Sequence, residues 1–325
     1  FKELLPLDQA RANPAQIEWD HYDPPVPVQT GITVHLLDLE ELREYIDWTP
    51  FFLSWELAGR FPDILEDPIV GHEAKKLYQD ALALLNLIIR EKWIEARAVT
   101  GMFPANSTGD DLLLFDPEST DRELIRLHHL RQQVKKASGQ PNLCLSDFVC
   151  PLSYRKKDYL GAFAVSAGFG VDALVQKYEA QHDDYHAILV KALADRLAEA
   201  GAEYLHEKIR KEIWGYERHE NLSKEDLIQE KYSGIRPAPG YPACPDHTEK
   251  DLLWKLLQVD QKTGIVLTES KAMYPAASVS GWYFSHPQSK YFGISEISED
   301  QLEDYCKRKG WTLETGRKWL SPLLP

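Results

Sequence analysis

The chain has 325 residues, with 37 Lys or Arg against 51 Asp or Glu, so its formal net charge is −14, and 43% of its residues are hydrophobic. This acidic balance argues against a nucleic-acid partner, because phosphate binding needs a cluster of Lys and Arg side chains. The longest apolar run, Ala81 to Ile89, falls far short of the roughly 18 residues of a membrane span, so we expect no membrane partner.

Residues 1–30 contain five prolines and little periodicity, which predicts an extended N-terminal arm or linker. The chain opens with Phe1 rather than Met and lacks the basic-then-apolar plan of a signal peptide, so we expect an excised or processed piece. Four cysteines without a C-x-x-C pair are typical of a reducing cytoplasm. We assign residues 31–325 to one folded domain.

Hydrophobic periodicity and capping residues predict both helices and strands after residue 30. The predicted elements are, in chain order, a strand at Ile32 to Leu36, a helix capped by Asp38 and ending near Pro50, a helix at Gly71 to Lys92, paired strands at Arg97 to Phe103 and Asp111 to Phe115, a strand at Tyr159 to Ser166, a long helix at Asp184 to Tyr216, a short helix capped by Ser223, a helix at Lys250 to Lys262, antiparallel strands at Val279 to Ser285 and Lys290 to Ile294, and a helix from Ser298 to Gly310. Together they indicate an α+β fold with a mainly antiparallel sheet.

The run Gly168 to Ala173 fits the G-x-G-x-x-G/A pattern of a nucleotide-binding turn and follows a predicted strand. A dinucleotide-binding unit needs a second strand soon after its helix, with an acid about 20 residues on. Here the chain continues instead into the long helix at Asp184. An ordinary strand-to-helix turn is therefore the favoured interpretation.

Two acid-x-x-His pairs occur on the predicted long helix, one at Asp183 and His186 and one at Glu203 and His206. This spacing puts a carboxylate and an imidazole one helical turn apart, as in di-iron bundles. Such a centre also needs inward-facing glutamates on partner helices, whereas both pairs share one helix with many charged neighbours. We interpret both pairs as exposed polar faces.

Cys244 is the only cysteine that we consider as a nucleophile. No adjacent His or helix terminus is evident to lower the pKa of its thiol, so a structural thiol is favoured. The sequence contains no H-E-x-x-H, G-x-S-x-G or G-x-x-x-x-G-K-[ST] motif. We predict no catalytic residue and no metal site in this chain.

The segment from Gly234 to His247 contains four prolines, which fix an extended backbone. Arg236 can hold a carboxylate through two donors, Gly240 lets a ligand come close, and Tyr241 offers an aromatic face. The segment suits a small ligand of amino-acid type, with Arg236 facing solvent in the empty site. A rigid surface loop explains the same prolines equally well on physical grounds.

Several segments together resemble a known family. They are Tyr45-Ile-Asp-Trp-Thr-Pro-Phe-Phe52, Ala192-Leu-Ala-Asp-Arg-Leu-Ala-Glu-Ala200, Arg236-Pro-Ala-Pro-Gly-Tyr241-Pro with the following Asp246-His-Thr-Glu-Lys250, and Val279-Ser-Gly-Trp-Tyr-Phe-Ser285. In this order, and across nearly the whole chain, they are similar to the C-terminal activation domain of cobalamin-dependent methionine synthase, in its bacterial form. The resemblance implies a single compact, C-shaped α+β domain with a twisted, mainly antiparallel sheet and flanking helices.

The resemblance implies that the chain binds S-adenosylmethionine and serves reactivation within a methyltransferase. In that family, one electron from a flavodoxin-type donor and a methyl group from S-adenosylmethionine convert cob(II)alamin to methylcobalamin. The chain lacks an Asp-x-His-x-x-Gly segment of the kind that ligates protein-bound cobalamin. The cofactor is therefore expected on another domain, the cobalamin-binding domain, and the isolated chain is not expected to turn over.

The resemblance also implies a set of ligand-binding residues. Asp47 would contact the ammonium of S-adenosylmethionine, Arg236 its carboxylate, and Tyr291 its adenosyl side. The remaining residues implied are Glu199 and Glu230 as nearby carboxylates, Ala238, Gly240 and Tyr241 along the ligand, and Phe292 beside Tyr291, where some relatives carry a second Tyr. A different class of function remains open: a module that senses S-adenosylmethionine and docks partners without a direct part in methyl transfer.

Overall fold

A six-stranded sheet organises the computed structural model, which describes residues 3–119 and 121–324. Its strands are β1 Gly31–Leu37, β2 Glu95–Thr108, β3 Asp111–Phe115, β4 Glu123–His128, β5 Asp158–Phe169 and β8 Ser278–Tyr283, numbered with the pair β6 Val266–Leu267 and β7 Met273–Tyr274, which forms a small separate sheet. The order in the large sheet is β4-β3-β2-β5-β8, and all of its strand pairs are antiparallel. β1 lies beside β2, outside this sequence of neighbours.

Strand β2 is long enough to carry two partners on one edge. Its first half pairs with β1, and its last residues pair with β3 from Thr108 opposite Asp111. Gly109 has a φ of 58° in the connecting turn, a conformation that most other residues disfavour. A hairpin of β2 and β3 is present as predicted, but β3 pairs with Ala105 to Thr108, whereas the predicted strand Arg97 to Phe103 pairs with β1 and β5.

Helices cover both faces of the large sheet. They are α1 Leu7–Arg11, α2 Leu39–Leu42, α3 Thr49–Ser54, α4 Gly71–Glu91, α5 Val171–Glu179, α6 Asp184–Lys208, α7 Lys224–Ile228, α8 Glu249–Leu257, α9 Val259–Thr263, α10 Glu299–Lys309 and α11 Leu313–Leu320. Alternate residues of β5 serve the two faces: Phe163 and Val165 pack in the core of α4 and α6, whereas Leu160 packs in the core of α8. Among the described residues, no helix is long and apolar enough to cross a bilayer.

Helix α6 carries several residues of the candidate site. Asp183 caps its first turn by accepting a hydrogen bond from the backbone N–H of His186 at 3.1 Å. The predicted stripe of Leu189, Leu193 and Leu197 is fully buried. The helix was predicted to run to Tyr216, but its α-helical part ends at Lys208 and continues as a π-helical turn, Ile209–Ile213.

The predicted hairpin at 279–294 is wrong. The strand β8 pairs with β5, from Gly161 opposite Tyr283, and residues 290–294 form no strand. In that segment the backbone N–H of Ile294 donates to the carbonyl of Pro242 at 2.8 Å, and the carbonyl of Gly293 accepts from the side chain of Gln132 at 2.7 Å. Polar groups that a hairpin would have paired are thus satisfied by other parts of the chain.

Three local predictions also need correction. Pro50 does not end a helix; it lies in the first turn of α3, where its missing N–H costs nothing. The helix predicted over Lys250 to Lys262 is divided into α8 and α9 by Gln258, which adopts a left-handed conformation. Within the segment predicted as an extended arm, α1 is helical and Trp19 is 5% exposed. The division at residue 30 stays a prediction.

The fold class itself is confirmed: α+β, with a mainly antiparallel sheet and flanking helices. The two faces of one sheet, rather than two separate sheets, organise the main cores. A third apolar cluster packs α10 and α11 around Leu302 and Tyr305.

Candidate functional site

A polar cavity of about 320 Å³ lies between the loop before α3, helix α6, helix α7 and the proline-rich segment. Its charged lining residues are Asp47, Arg196, Glu199, Glu203, Glu230 and Arg236. Carboxylates outnumber guanidiniums by four to two, so the cavity favours a ligand that carries positive charge. The four charged residues predicted for the ligand site, Asp47, Glu199, Glu230 and Arg236, all line it.

Local structure fixes two of these carboxylates. Asp47 precedes α3, and its Oδ1 accepts a hydrogen bond from the backbone N–H of Thr49 at 3.0 Å. This contact occupies one oxygen of Asp47 and stabilises the start of the helix. Glu230 follows α7 with a φ of 56°, a left-handed conformation that is unusual for a non-glycine residue.

Arg236 is held from several sides by hydrogen bonds. Its Nη1 and Nη2 donate to the two carboxylate oxygens of Glu203 at 3.2 and 2.8 Å. Nη1 also contacts Nδ1 of His206 at 3.0 Å and the hydroxyl of Tyr232 at 3.2 Å. Burial opposes the charge of Arg236, but the negative charge of Glu203, the hydroxyls of Tyr232 and Tyr291, and the hydrogen bond to Glu203 together outweigh it, so the pKa of Arg236 lies above its ordinary value.

The predicted solvent-facing position of Arg236 is therefore wrong. Its side chain is 18% exposed, because Glu203 draws the guanidinium against α6. Within the described part of the chain, Nε of Arg236 makes no hydrogen bond, and Nη2 bonds only to Glu203. The edge formed by Nε and Nη2 can still accept a carboxylate in a two-donor pair.

Tyr291 lies beside Arg236 and Tyr232. Its hydroxyl accepts a hydrogen bond from the backbone N–H of Arg236 at 3.0 Å and lies 2.8 Å from the hydroxyl of Tyr232. Tyr291 is 38% exposed, so part of its ring is available to a ligand. Contact with an adenosyl group stays a prediction.

The turn at residues 238–244 places three more of the predicted residues. The backbone N–H of Tyr241 donates to the carbonyl of Ala238 at 3.1 Å, and Tyr241 is 61% exposed. Burial, followed by the charge of Glu199, raises the pKa of Tyr241, so this hydroxyl lies within electrostatic reach of the cavity. Gly240 has a φ of 89°, and a Cβ there would lie 2.4 Å from the ring of His247.

Phe292 is partly buried and packs against the apolar core around α8. Its ring centroid is 6.5 Å from that of Phe148. The residues that line the cavity, within the described part of the chain, do not include Phe292, Ala238, Gly240, Tyr241 or Tyr291. The role predicted for each of these five in ligand binding stays a prediction.

Similarity to known proteins identifies the family to which this chain belongs. A family model described as "Vitamin B12 dependent methionine synthase, activation domain" matches residues 38–310. The chain belongs to this family. A crystal structure of the MetH reactivation domain bound to AdoHcy is similar, with 54% sequence identity, a TM-score of 0.97, and coverage of 99% of this chain and 98% of that one.

The interpretation of Glu203 and His206 as an exposed polar face is wrong for this activation domain. His206 is fully buried, and the side chain of Glu203 is 12% exposed. A sequence signal was present: the buried residues Ala194, Ala198 and Ala202 form an i, i+4 row on α6, and His206 is its next member. Tyr232 was not predicted either, although it lies four residues before Arg236 in the chain.

The other candidates stay structural in the activation domain. Cys244 is buried, and burial raises the pKa of its thiol well above the ordinary value, as expected of an unreactive cysteine. Gly170 ends β5 and begins α5, which is followed by α6 and not by a strand, so the ordinary turn is confirmed. Among the described residues, no group of three or more His, Cys, Asp or Glu side chains is arranged to hold a metal ion.

Proposed function

We propose that this activation domain binds S-adenosylmethionine in the cavity beside Arg236 and supports the reductive methylation of cob(II)alamin to methylcobalamin. The methyl group would come from S-adenosylmethionine and one electron from a flavodoxin-type donor. The acceptor would be carried by the cobalamin-binding domain of methionine synthase. The chain would therefore contribute to a methyltransferase without turnover of its own.

The observation that supports this proposal is that Asp47, Glu199, Glu230 and Arg236 line one cavity. S-adenosylmethionine has an ammonium and a sulfonium, which suit carboxylates, and one carboxylate, which suits a guanidinium. The relative at 54% identity is bound to AdoHcy, which is the compound left when S-adenosylmethionine has given up its methyl group.

The chain's own task in this reaction would be to bind and orient. When the methyl group leaves, the carbon–sulfur bond breaks, its electron pair remains on sulfur, and the sulfonium becomes a neutral thioether. No proton moves, so neither a general base nor a nucleophile is needed from the protein. Carboxylates such as Glu199 would hold the sulfonium side of the ligand near the opening of the cavity.

A binding and turnover experiment tests the proposal. Titration calorimetry of the chain with S-adenosylmethionine should show binding, with no methyl transfer. Addition of the cobalamin-binding domain and a one-electron reductant should then convert the cob(II)alamin spectrum to that of methylcobalamin. Absence of binding at millimolar ligand would contradict the proposed site. Binding without methylation in the complete mixture would favour the sensing and docking function instead.

A further inference from the structure

A buried polar cluster lies beneath the cavity, and His206 is at its centre. Its ring stacks on Tyr283, with centroids 5.3 Å apart at 21°, and meets Tyr232 edge-on at 4.6 Å. Arg210, carried by the π-helical turn, lies over the ring of Tyr232 at 4.6 Å. Within the residues described, this imidazole makes one hydrogen bond, which Nη1 of Arg236 donates to it.

The position of the proton on His206 follows from its partner. A guanidinium has donors and no acceptor, so Nδ1 of His206 must accept, and the neutral ring carries its hydrogen on Nε2. The charged groups that face the ring are Arg236 from the proline-rich segment, Arg210 from the π-helical turn, and Glu203 from its own helix. Burial and the two guanidiniums lower the pKa of His206 well below its ordinary value.

Glu203 alone would not fix the orientation of Arg236. A guanidinium offers two edges to a carboxylate, one through Nη1 and Nη2 and one through Nε and Nη2, and both present parallel donors. His206 accepts from Nη1 and thereby selects the first edge for Glu203. The second edge is then left for a ligand.

We propose that His206 is a positioning residue, which holds Arg236 so that its Nε and Nη2 receive the carboxylate of the bound ligand. This inference rests on the proposed function, because it assumes that S-adenosylmethionine occupies the cavity. His206 touches no ligand; it acts through Arg236.

The test compares two variants and two ligands. His206→Leu removes the acceptor and should weaken binding of S-adenosylmethionine by about 10- to 150-fold, the range of one hydrogen bond to a charged group. His206→Asn keeps an oxygen near the position of Nδ1 and should recover most of the affinity. Decarboxylated S-adenosylmethionine lacks the group that Arg236 binds, so its affinity should be the same in both variants and the parent.

His129 provides the matched control. It is also a fully buried histidine, and neither ring nitrogen has a hydrogen-bond partner among the described residues. His129→Leu should therefore leave the affinity for S-adenosylmethionine unchanged. A loss as large as that of His206→Leu would show a general effect of an apolar side chain in place of a buried imidazole, and would overturn the inference.

A measurement on the parent protein keeps the inference testable if His206→Leu does not fold. Nitrogen NMR should show His206 with an unprotonated Nδ1 and a hydrogen on Nε2 down to pH 5.5, and the opposite tautomer would overturn the proposed role. The proposed function and the role of His206 are contradicted by different results. If the parent does not bind S-adenosylmethionine, the proposed function is wrong. If the parent binds and both His206 variants bind with the affinity of the parent, only the role of His206 is wrong.

Discussion

At the start of helix α6, Asp183 caps the first turn and its carboxylate lies 2.8 Å from the ring of His186, with both side chains about one-third exposed. At the end of the same helix, Glu203 and His206 have the same spacing, yet both bind Arg236 and His206 is fully buried. The spacing puts each pair on one face of the helix. The element that packs against that face decides whether the pair caps a helix or builds a site.

The largest effect is expected from Arg236→Ala. Loss of a shielded two-donor pair should weaken binding of S-adenosylmethionine by roughly 2–4 kcal/mol, and Arg236→Lys should lose much of the same affinity. Because Glu203 would lose its partner, the Ala variant should also unfold more easily, by about 1–3 kcal/mol. Calorimetry and denaturant unfolding measure the two effects, and an Ala variant that binds like the parent would contradict the role of Arg236.

Glu203→Ala and Asp183→Ala compare the two ends of α6 directly. The first leaves the guanidinium of Arg236 half-buried and without its carboxylate, so the free energy of unfolding should fall by about 1–3 kcal/mol. The second removes only a helix cap and should cost less. Denaturant unfolding of both variants tests the difference. Equal losses would mean that the environment of Glu203 contributes nothing beyond local helix stability.

Asp47 combines a local role with a place in the cavity, since its Oδ1 accepts from the backbone N–H of Thr49 just before α3 and the residue also lines the cavity. Asp47→Asn keeps an oxygen for the N–H of Thr49 but removes the charge. Binding of S-adenosylmethionine should weaken by on the order of 1–3 kcal/mol, while the melting temperature stays nearly unchanged. A variant that binds normally but melts much earlier would show that Asp47 only stabilises the turn before α3.

A pH dependence of stability is also expected. Burial lowers the pKa of His206 well below 6.5 and that of His129 to about 3. The unfolded chain therefore binds more protons below pH 6.5, and each histidine should contribute a loss of up to about 1.4 kcal/mol per pH unit as the pH falls. His206→Asn should remove its share of this slope in unfolding curves between pH 7 and 5. An unchanged slope would mean that His206 is accessible to protons in the folded protein.

Much of the fold could be predicted because its signals are local. The apolar run of β5, the leucine stripe of α6 and the turn at Gly109 are each encoded within a short stretch of the chain. The partner of β8 was not predictable in this way, because pairing with β5 depends on residues far apart in the chain. The hairpin predicted at 279–294 paired β8 with the nearest strand candidate in the sequence. In the structure, polar backbone groups of that segment bond to Pro242 and Gln132 instead.

The residues of the candidate site also differ in whether the sequence could predict them. Asp47, Glu199, Glu230 and Arg236 were predicted from family resemblance, and the structure brings them together. The roles of Glu203 and His206 could not be deduced from their helix alone, since their partner Arg236 lies about 30 residues further along. The alanine row of α6 indicates that His206 is buried, but the contact of both residues with Arg236 depends on how the proline-rich segment packs against α6, which no local periodicity encodes.

Gly240 restricts how the proline-rich segment can vary. The ring of His247 lies where any side chain at this position would begin, and the backbone is left-handed there. Any other residue must both strain the backbone and displace the imidazole. A random library at this position should therefore return glycine almost alone, and a second change at His247 would enlarge the space without relieving the backbone. Both the left-handed backbone and the ring of His247 exclude other residues at position 240, so sequence variation in this segment is expected at the neighbouring positions.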